Sequence, residues 1–153
     1  MIALYAGSFD PFTVGHLDIA NRALQLFGQL VIGIGYNETK QGEYTVEERL
    51  NAIKRIFAGN PAVSVATYQG LTVDFAKSIG AGVLVRGVRN GTEFEKEKEL
   101  ADINLAVSKL TTVMIPSRPE LSFISSSMVR ELSHNGYDVS GFIAKPNNVT
   151  LPE

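Results

Sequence analysis

Cysteine is absent from the 153 residues, which excludes disulfide staples, thiol catalysis and cysteine-ligated metal centres. Histidine is nearly absent, and two residues, His16 and His134, cannot build a His-rich metal site. An excess of positive charge is missing as well: 14 basic side chains meet 16 acidic ones, for a formal net charge of -2. That balance argues against coating a nucleic-acid backbone and leaves room only for a local basic pocket. No stretch approaches the roughly 18 consecutive apolar residues of a membrane span, and the opening residues lack a basic leader with an apolar run behind it. A soluble cytoplasmic protein with neither a nucleic-acid nor a membrane partner is expected. What the chain does have is core-forming material, 44% hydrophobic against 20% charged, enough to exclude disorder. Its length suits one domain, residues 1–145, with a short tail over 146–153.

Apolar runs of strand length alternate with segments of helical period from end to end, a pattern that predicts a parallel sheet with helices on both faces. Ile2 to Tyr5 reads as the first strand, followed by a Gly-Ser-Phe-Asp-Pro loop. A helix then begins near His16, places Leu17, Ala20, Leu24 and Phe27 on one face, and stops at Gly28. Leu30 to Tyr36 is the second strand, and Thr45-Val46-Glu47-Glu48 is a capping box that opens a helix to about Ala58. Val63 to Tyr68 is a strand, Val73 to Ile79 a short helix, and Val83 to Val85 a short apolar strand. A second box, Thr92 to Glu95, starts the longest helix, carried to about Ser108; Thr112 to Ile115 is the last strand. Ser125 to Ser127 caps a helix from about Met128 to His134. The expected architecture is α/β: one doubly wound, Rossmann-like domain with about five parallel strands.

In such a sheet, ligands sit beyond the carboxyl ends of the strands. The first strand runs into Gly7 to His16, two glycines and a proline entering a helix at a histidine. The fourth is followed by Arg86-Gly87-Val88-Arg89, and the fifth by the serine run at a helix start. Three strand ends on one edge therefore offer anion-binding hardware. Glu93, Glu95, Lys96, Lys98 and Glu99 read as a solvated helix face. Glu97 falls between Phe94 and Ala101, at the border of an inward stripe. His134, near a helix C-terminus, is given no function.

Thr13-Val14-Gly15-His16 fits the (H/T)xGH signature of the nucleotidyltransferase superfamily, and Ile124 to Arg130 fits its ISSSxxR signature. With Gly7 to Pro11, Lys40 after the second strand and the RGVR at 86 to 89, the chain resembles the bacterial phosphopantetheine adenylyltransferases over about residues 2 to 143. Any one motif is weak; the ordered set is specific. The residues flanking Lys40, Asn37 to Thr39 and Gln41-Gly42, depart from the family's commoner Ser-Lys-Lys-Pro-like loop.

The resemblance implies transfer of AMP from ATP to 4′-phosphopantetheine, giving dephospho-coenzyme A and pyrophosphate, by direct in-line attack on the α-phosphorus. It implies His16, Lys40, Arg89 and Ser127 as catalytic residues, with His16 on the α-phosphate. Ser8, Lys40, Thr72, Arg86 and Asn104 would hold phosphopantetheine. ATP would meet Ser8, Phe9, His16, Gly87, Val88, Arg89, Glu97, Leu121, Ser122, Phe123, Ile124 and Ser125 to Ser127. Mg²⁺ would ride on the ATP phosphates, with no metal held by the protein itself. A homohexamer is implied, and coenzyme A is a further ligand, as a possible inhibitor. Among alternatives, a nicotinamide-mononucleotide adenylyltransferase would be expected to carry Asn at Asp10 and His at Thr13. A cytidylyltransferase would show threonines in the second signature. A non-catalytic nucleotide-binding regulator on the same fold would have no use for a second phosphate site.

Overall fold

The sheet is built outward from the first apolar run, where Ile2–Gly7 forms β1 at its centre. The computed structural model describes residues 1–146; most of the expected tail, 147–153, lies outside the described residues. After β1 come α1 (Val14–Phe27), β2 (Gln29–Gly35), α2 (Val46–Ile56), β3 (Val63–Tyr68) and α3 (Thr72–Ser78). The second half adds β4 (Val83–Val88), α4 (Gly91–Ser108), β5 (Thr112–Pro116), a 3-10 turn at Pro119–Leu121 and α5 (Ser126–His134). Five strands pair in parallel in the order β3-β2-β1-β4-β5. The chain winds from β1 outward to β3 and returns to place β4 on the other side of β1. The order therefore reverses between β1 and β4, where a crevice opens at their carboxyl ends.

Alternation along the strands supplies a core to each face. Tyr5, Ile32 and Val85 pack with Leu17, Ile19, Ala20 and Ile53 of α1 and α2. Leu4 and Leu84 face the other way, onto Val73 and Ala76 of α3. Each fully buried Leu, Ile or Val contributes about 1.5 to 3 kcal/mol, so the central strands are rigid supports for what lies at their ends. Among the described residues no helix is long and apolar enough to cross a membrane.

Three expectations need correction. β4 continues through Val88, so Arg86 and Gly87 belong to the strand and do not follow it; pairing with β5 extends the ladder past the apolar run. The cap of α4 is Asn90, whose side chain accepts the Glu93 N–H, and Thr92 sits inside the first turn. Finally, α4 has no apolar inward stripe. It buries no residue; Glu93, Glu97, Ala101, Asn104 and Ser108 form its half-buried side, while Phe94, Leu100, Ile103, Leu105 and Val107 are exposed.

Candidate active site

A cavity of about 300 Å³ occupies the crevice. Tyr5 to Phe9 come to it from β1 and the loop beyond, Thr13, Gly15, His16 and Ile19 from the α1 start, and Arg86 and Gly87 from β4, with Arg89 just past its end. Glu93 and Glu97 of α4, Ser117, and Ile124 to Ser126 at the α5 start complete the wall. A second cavity of about 190 Å³, lined mainly by apolar side chains with Thr72 and Asn104, shares Arg86 and Glu97 with the first. Two glycines permit this shape: a Cβ on Gly7 would lie 3.0 Å from the Phe9 ring, and one on Gly87 would lie 3.0 Å from Ile19. Phe9 itself is held at φ 48, a left-handed conformation sustained by burial of its ring.

His16 is both a helix cap and a wall of the cavity. Thr13 caps α1: its hydroxyl accepts the His16 N–H at 3.2 Å, and its own N–H donates to His16 Nδ1 at 2.9 Å. With Nδ1 accepting, the neutral ring must carry its proton on Nε2, leaving one free N–H donor. Phe12 stacks on the ring and Phe9 meets it edge-on. Burial, then the charges of Arg86 and Arg89, lower its pKa from 6.5 to about 4. The imidazole is thus neutral at physiological pH and its orientation is set. Burial also raises the Tyr5 phenol on the same wall, which stays protonated.

Both arginines are held by glutamates of α4. Arg86 donates through Nε and Nη2 to the two oxygens of Glu97 at 2.9 and 2.7 Å, and through Nη1 to the Ala6 carbonyl. Burial disfavours its charge, and the bond to Glu97 more than offsets this, so its pKa is raised. Arg89 donates through Nε and Nη2 to Glu93 Oε2 at 3.1 and 2.7 Å, and its backbone N–H reaches Oε1. Glu93 is therefore not the solvated surface residue that its charged neighbours suggested. The signal was in the spacing: Glu93 lies four residues before Glu97, on the same helix face.

The second signature is tied to the first. Ser125 caps α5, Ser126 Oγ donates to the Pro11 carbonyl at 2.8 Å, and Arg130 Nη1 donates to the Asp10 carbonyl at 2.6 Å. Asp18 of α1 accepts from both Arg22 and Arg118, fixing the segment between β5 and α5. These bonds aim the α5 N-terminus at the cavity.

Lys40 is exposed on the loop between β2 and α2 and lines neither cavity. The far end of that loop is clamped: buried Asp10 accepts the N–H groups of Glu43 and Tyr44 at 2.9 Å each, and buried Arg49 donates to the carbonyls of Tyr44 and Ser8. His134 Nε2 and Glu43 Oε2 lie 2.8 Å apart, joining α5 to the same loop. Val88, Leu121, Ser122, Phe123 and Ser127 also stand outside the two cavities, whereas Ser8, Phe9, His16, Arg86, Gly87, Arg89, Glu97, Ile124, Ser125 and Ser126 converge on the first. Among the described residues no group of three or more His, Cys, Asp or Glu side chains is placed to hold a metal ion.

The family model described as cytidylyltransferase-like matches residues 4–132. A curated relative from Porphyromonas gingivalis named phosphopantetheine adenylyltransferase is 51% identical over 93% of this chain and 93% of its own length. One of the same name from Cutibacterium acnes is 40% identical over 100% of this chain and 98% of its own. The chain belongs to the phosphopantetheine adenylyltransferase family. Like its relatives it is a nucleotidyltransferase of coenzyme A biosynthesis, converting ATP and phosphopantetheine to dephospho-coenzyme A. Among solved structures, the bifunctional NMN adenylyltransferase/ADP ribose pyrophosphatase of Francisella tularensis superposes with a TM-score of 0.72 at 15% identity, covering 95% of this chain and 45% of that one. That likeness shows the fold alone. The same Francisella tularensis protein is also solved with AMP and a Mn ion.

Proposed function

We propose that the larger cavity takes ATP, the smaller takes the pantetheine arm, and Arg86 stands where the two phosphate groups approach. The observation that carries this reading is that the cavities share one wall, the Arg86–Glu97 pair with Ala6. The mainly apolar lining of the second cavity suits an extended uncharged arm, with Thr72 and Asn104 as its polar wall.

The nucleophile, a phosphate, is already an anion and needs no general base. Its oxygen attacks the α-phosphorus in line, the new P–O bond forms as the bond to the β-phosphate oxygen breaks, and pyrophosphate leaves with the bonding electron pair. The protein's part is alignment and charge stabilisation. His16 Nε2–H donates to an α-phosphate oxygen as charge builds there. Arg89, the α5 start at Ser125 and Ser126, and the Ser127 hydroxyl receive the leaving group. Gly87 and Val88 supply strand backbone along the nucleotide, with Phe9 beneath it and Leu121 to Ile124 at its outer edge. Ser8 and Arg86 hold the attacking phosphate, and Lys40 closes over it from its loop. Mg²⁺ would be carried by the ATP phosphates, where it would offset part of their charge. The enzyme acts in the cytoplasm, and coenzyme A competes as a product-like ligand.

Pyrophosphate release from ATP should depend strictly on added 4′-phosphopantetheine. The Lys40→Ala variant should raise KM for phosphopantetheine about tenfold or more while leaving that for ATP unchanged, the scale of one charge-assisted bond. Release without phosphopantetheine, or equal losses for both substrates, contradicts the assignment.

We further propose that the exposed apolar side chains of α4 are covered by other copies of the chain in a homohexamer. Leu100, Ile103 and Val107 recur at spacings of three and four along one flank, and Phe94 and Leu105 lie on the other. Light scattering should return about six times the chain mass of 16.6 kDa; a monomer at micromolar concentration contradicts it.

A further inference from the structure

The cavity that must accept several phosphate charges carries almost no net charge of its own. His16 is neutral, and each arginine is matched by a glutamate: Arg86 by Glu97 and Arg89 by Glu93. The two pairs differ. Arg86 is also tied to the Ala6 carbonyl, so its guanidinium is fixed in place between β1, β4 and α4. Arg89 has no second side-chain tie among the described residues. Glu93 alone occupies its fork with a carboxylate, at 2.7 and 3.1 Å, and accepts its backbone N–H as well. An oxygen of a phosphate can take the place of Glu93 Oε2 on the Nε and Nη2 hydrogens of this guanidinium.

We infer that Glu93 is a built-in competitor for the phosphate site on Arg89, released when a phosphate or pyrophosphate oxygen pair takes its place. The inference rests on the reading that Arg89 faces the leaving-group phosphates. Both side chains are about one-third exposed or less, at 31% for Arg89 and 26% for Glu93, so water can receive the displaced carboxylate and the exchange is thermally accessible. A ligand that takes the Nε and Nη2 hydrogens of Arg89 must break the pair, and a ligand that does not take them is indifferent to Glu93.

The test uses pyrophosphate alone as the probe, by isothermal titration with the intact enzyme, and compares Glu93→Gln with Glu95→Gln. The two variants change net charge equally, but Glu95 is exposed on the same helix and touches neither cavity. Glu93→Gln should tighten pyrophosphate by about two- to fivefold, the range of a partly exposed ion pair, and lower KM for ATP in parallel. KM for phosphopantetheine should not move, and Glu95→Gln should match wild type throughout. Unchanged or weaker pyrophosphate binding in Glu93→Gln overturns the inference and makes Glu93 a support for Arg89 only. Tightening of the same size in Glu95→Gln also overturns it, because the effect is then one of overall charge. Arg89→Ala separates the two levels of argument. If it leaves pyrophosphate affinity untouched, the parent reading of Arg89 fails; if it weakens pyrophosphate while Glu93→Gln does not tighten it, the competitor role alone fails.

Discussion

Replacing His16 by alanine is expected to lower kcat by about 10³-fold while the dissociation constant for ATP changes by less than about threefold. The asymmetry follows from how the ring is held. Its Nδ1 is committed to the Thr13 N–H and its faces to Phe9 and Phe12, so Nε2–H is a fixed donor with no reorganisation left to make. A neutral donor gains little from a ground-state phosphate that water solvates well. It gains more from a pentacoordinate phosphorus whose oxygens carry extra charge. His16→Asn is the informative companion, since its side-chain oxygen can accept the Thr13 N–H and preserve the cap. Rapid-quench measurement of the chemical step, together with equilibrium ATP binding, checks the pair. A kcat within a few-fold of wild type in both variants would remove His16 from the mechanism.

The same residue makes folding stability fall in acid. Imidazole takes up its proton near pH 6.5 in the unfolded chain and near pH 4 in the folded one, where burial and the two arginines oppose the charge. Between those values the unfolded state binds more protons, so acid draws the equilibrium toward it. The stabilisation is complete above about pH 6.5 and is lost as pH falls through about 4. Its upper size is about 3 kcal/mol. Water in the cavity screens part of that, and about 2 kcal/mol between pH 7 and pH 4.5 is the expected loss. Protonation also turns Nδ1 into a donor facing the Thr13 N–H, which opens the α1 cap. Urea unfolding at several pH values should show this slope in wild type and a flatter one in His16→Asn, with carboxylate titration common to both. Parallel slopes would mean that His16 titrates normally in the folded enzyme.

The strands, the helices apart from their ends, and the edge of the sheet where ligands belong were legible in the sequence, because each depends on local periodicity and backbone chemistry. The Thr45 and Ser125 caps, the αL residue at Gly28 and the alternation from Val63 to Tyr68 all involve neighbours within a turn or a pleat. His16 was legible for the same reason: its cap partner is three residues away. Tertiary structure decided the rest. That Asp10 clamps Glu43 and Tyr44, that Arg130 reaches the Asp10 carbonyl, and that Arg86 crosses to Ala6 are pairings across 33 to 120 positions. A run of alternating charges such as 93 to 99 looks solvated on every side until the sheet supplies two arginines beneath it. The polarity of α4 inverted the usual reading because its half-buried side meets a charged cavity edge in place of a core, and its apolar flanks are left at the surface. Periodicity records which residues share a face; what that face meets is set by elements distant in sequence, and their electrostatics decide whether carboxylates or leucines turn inward.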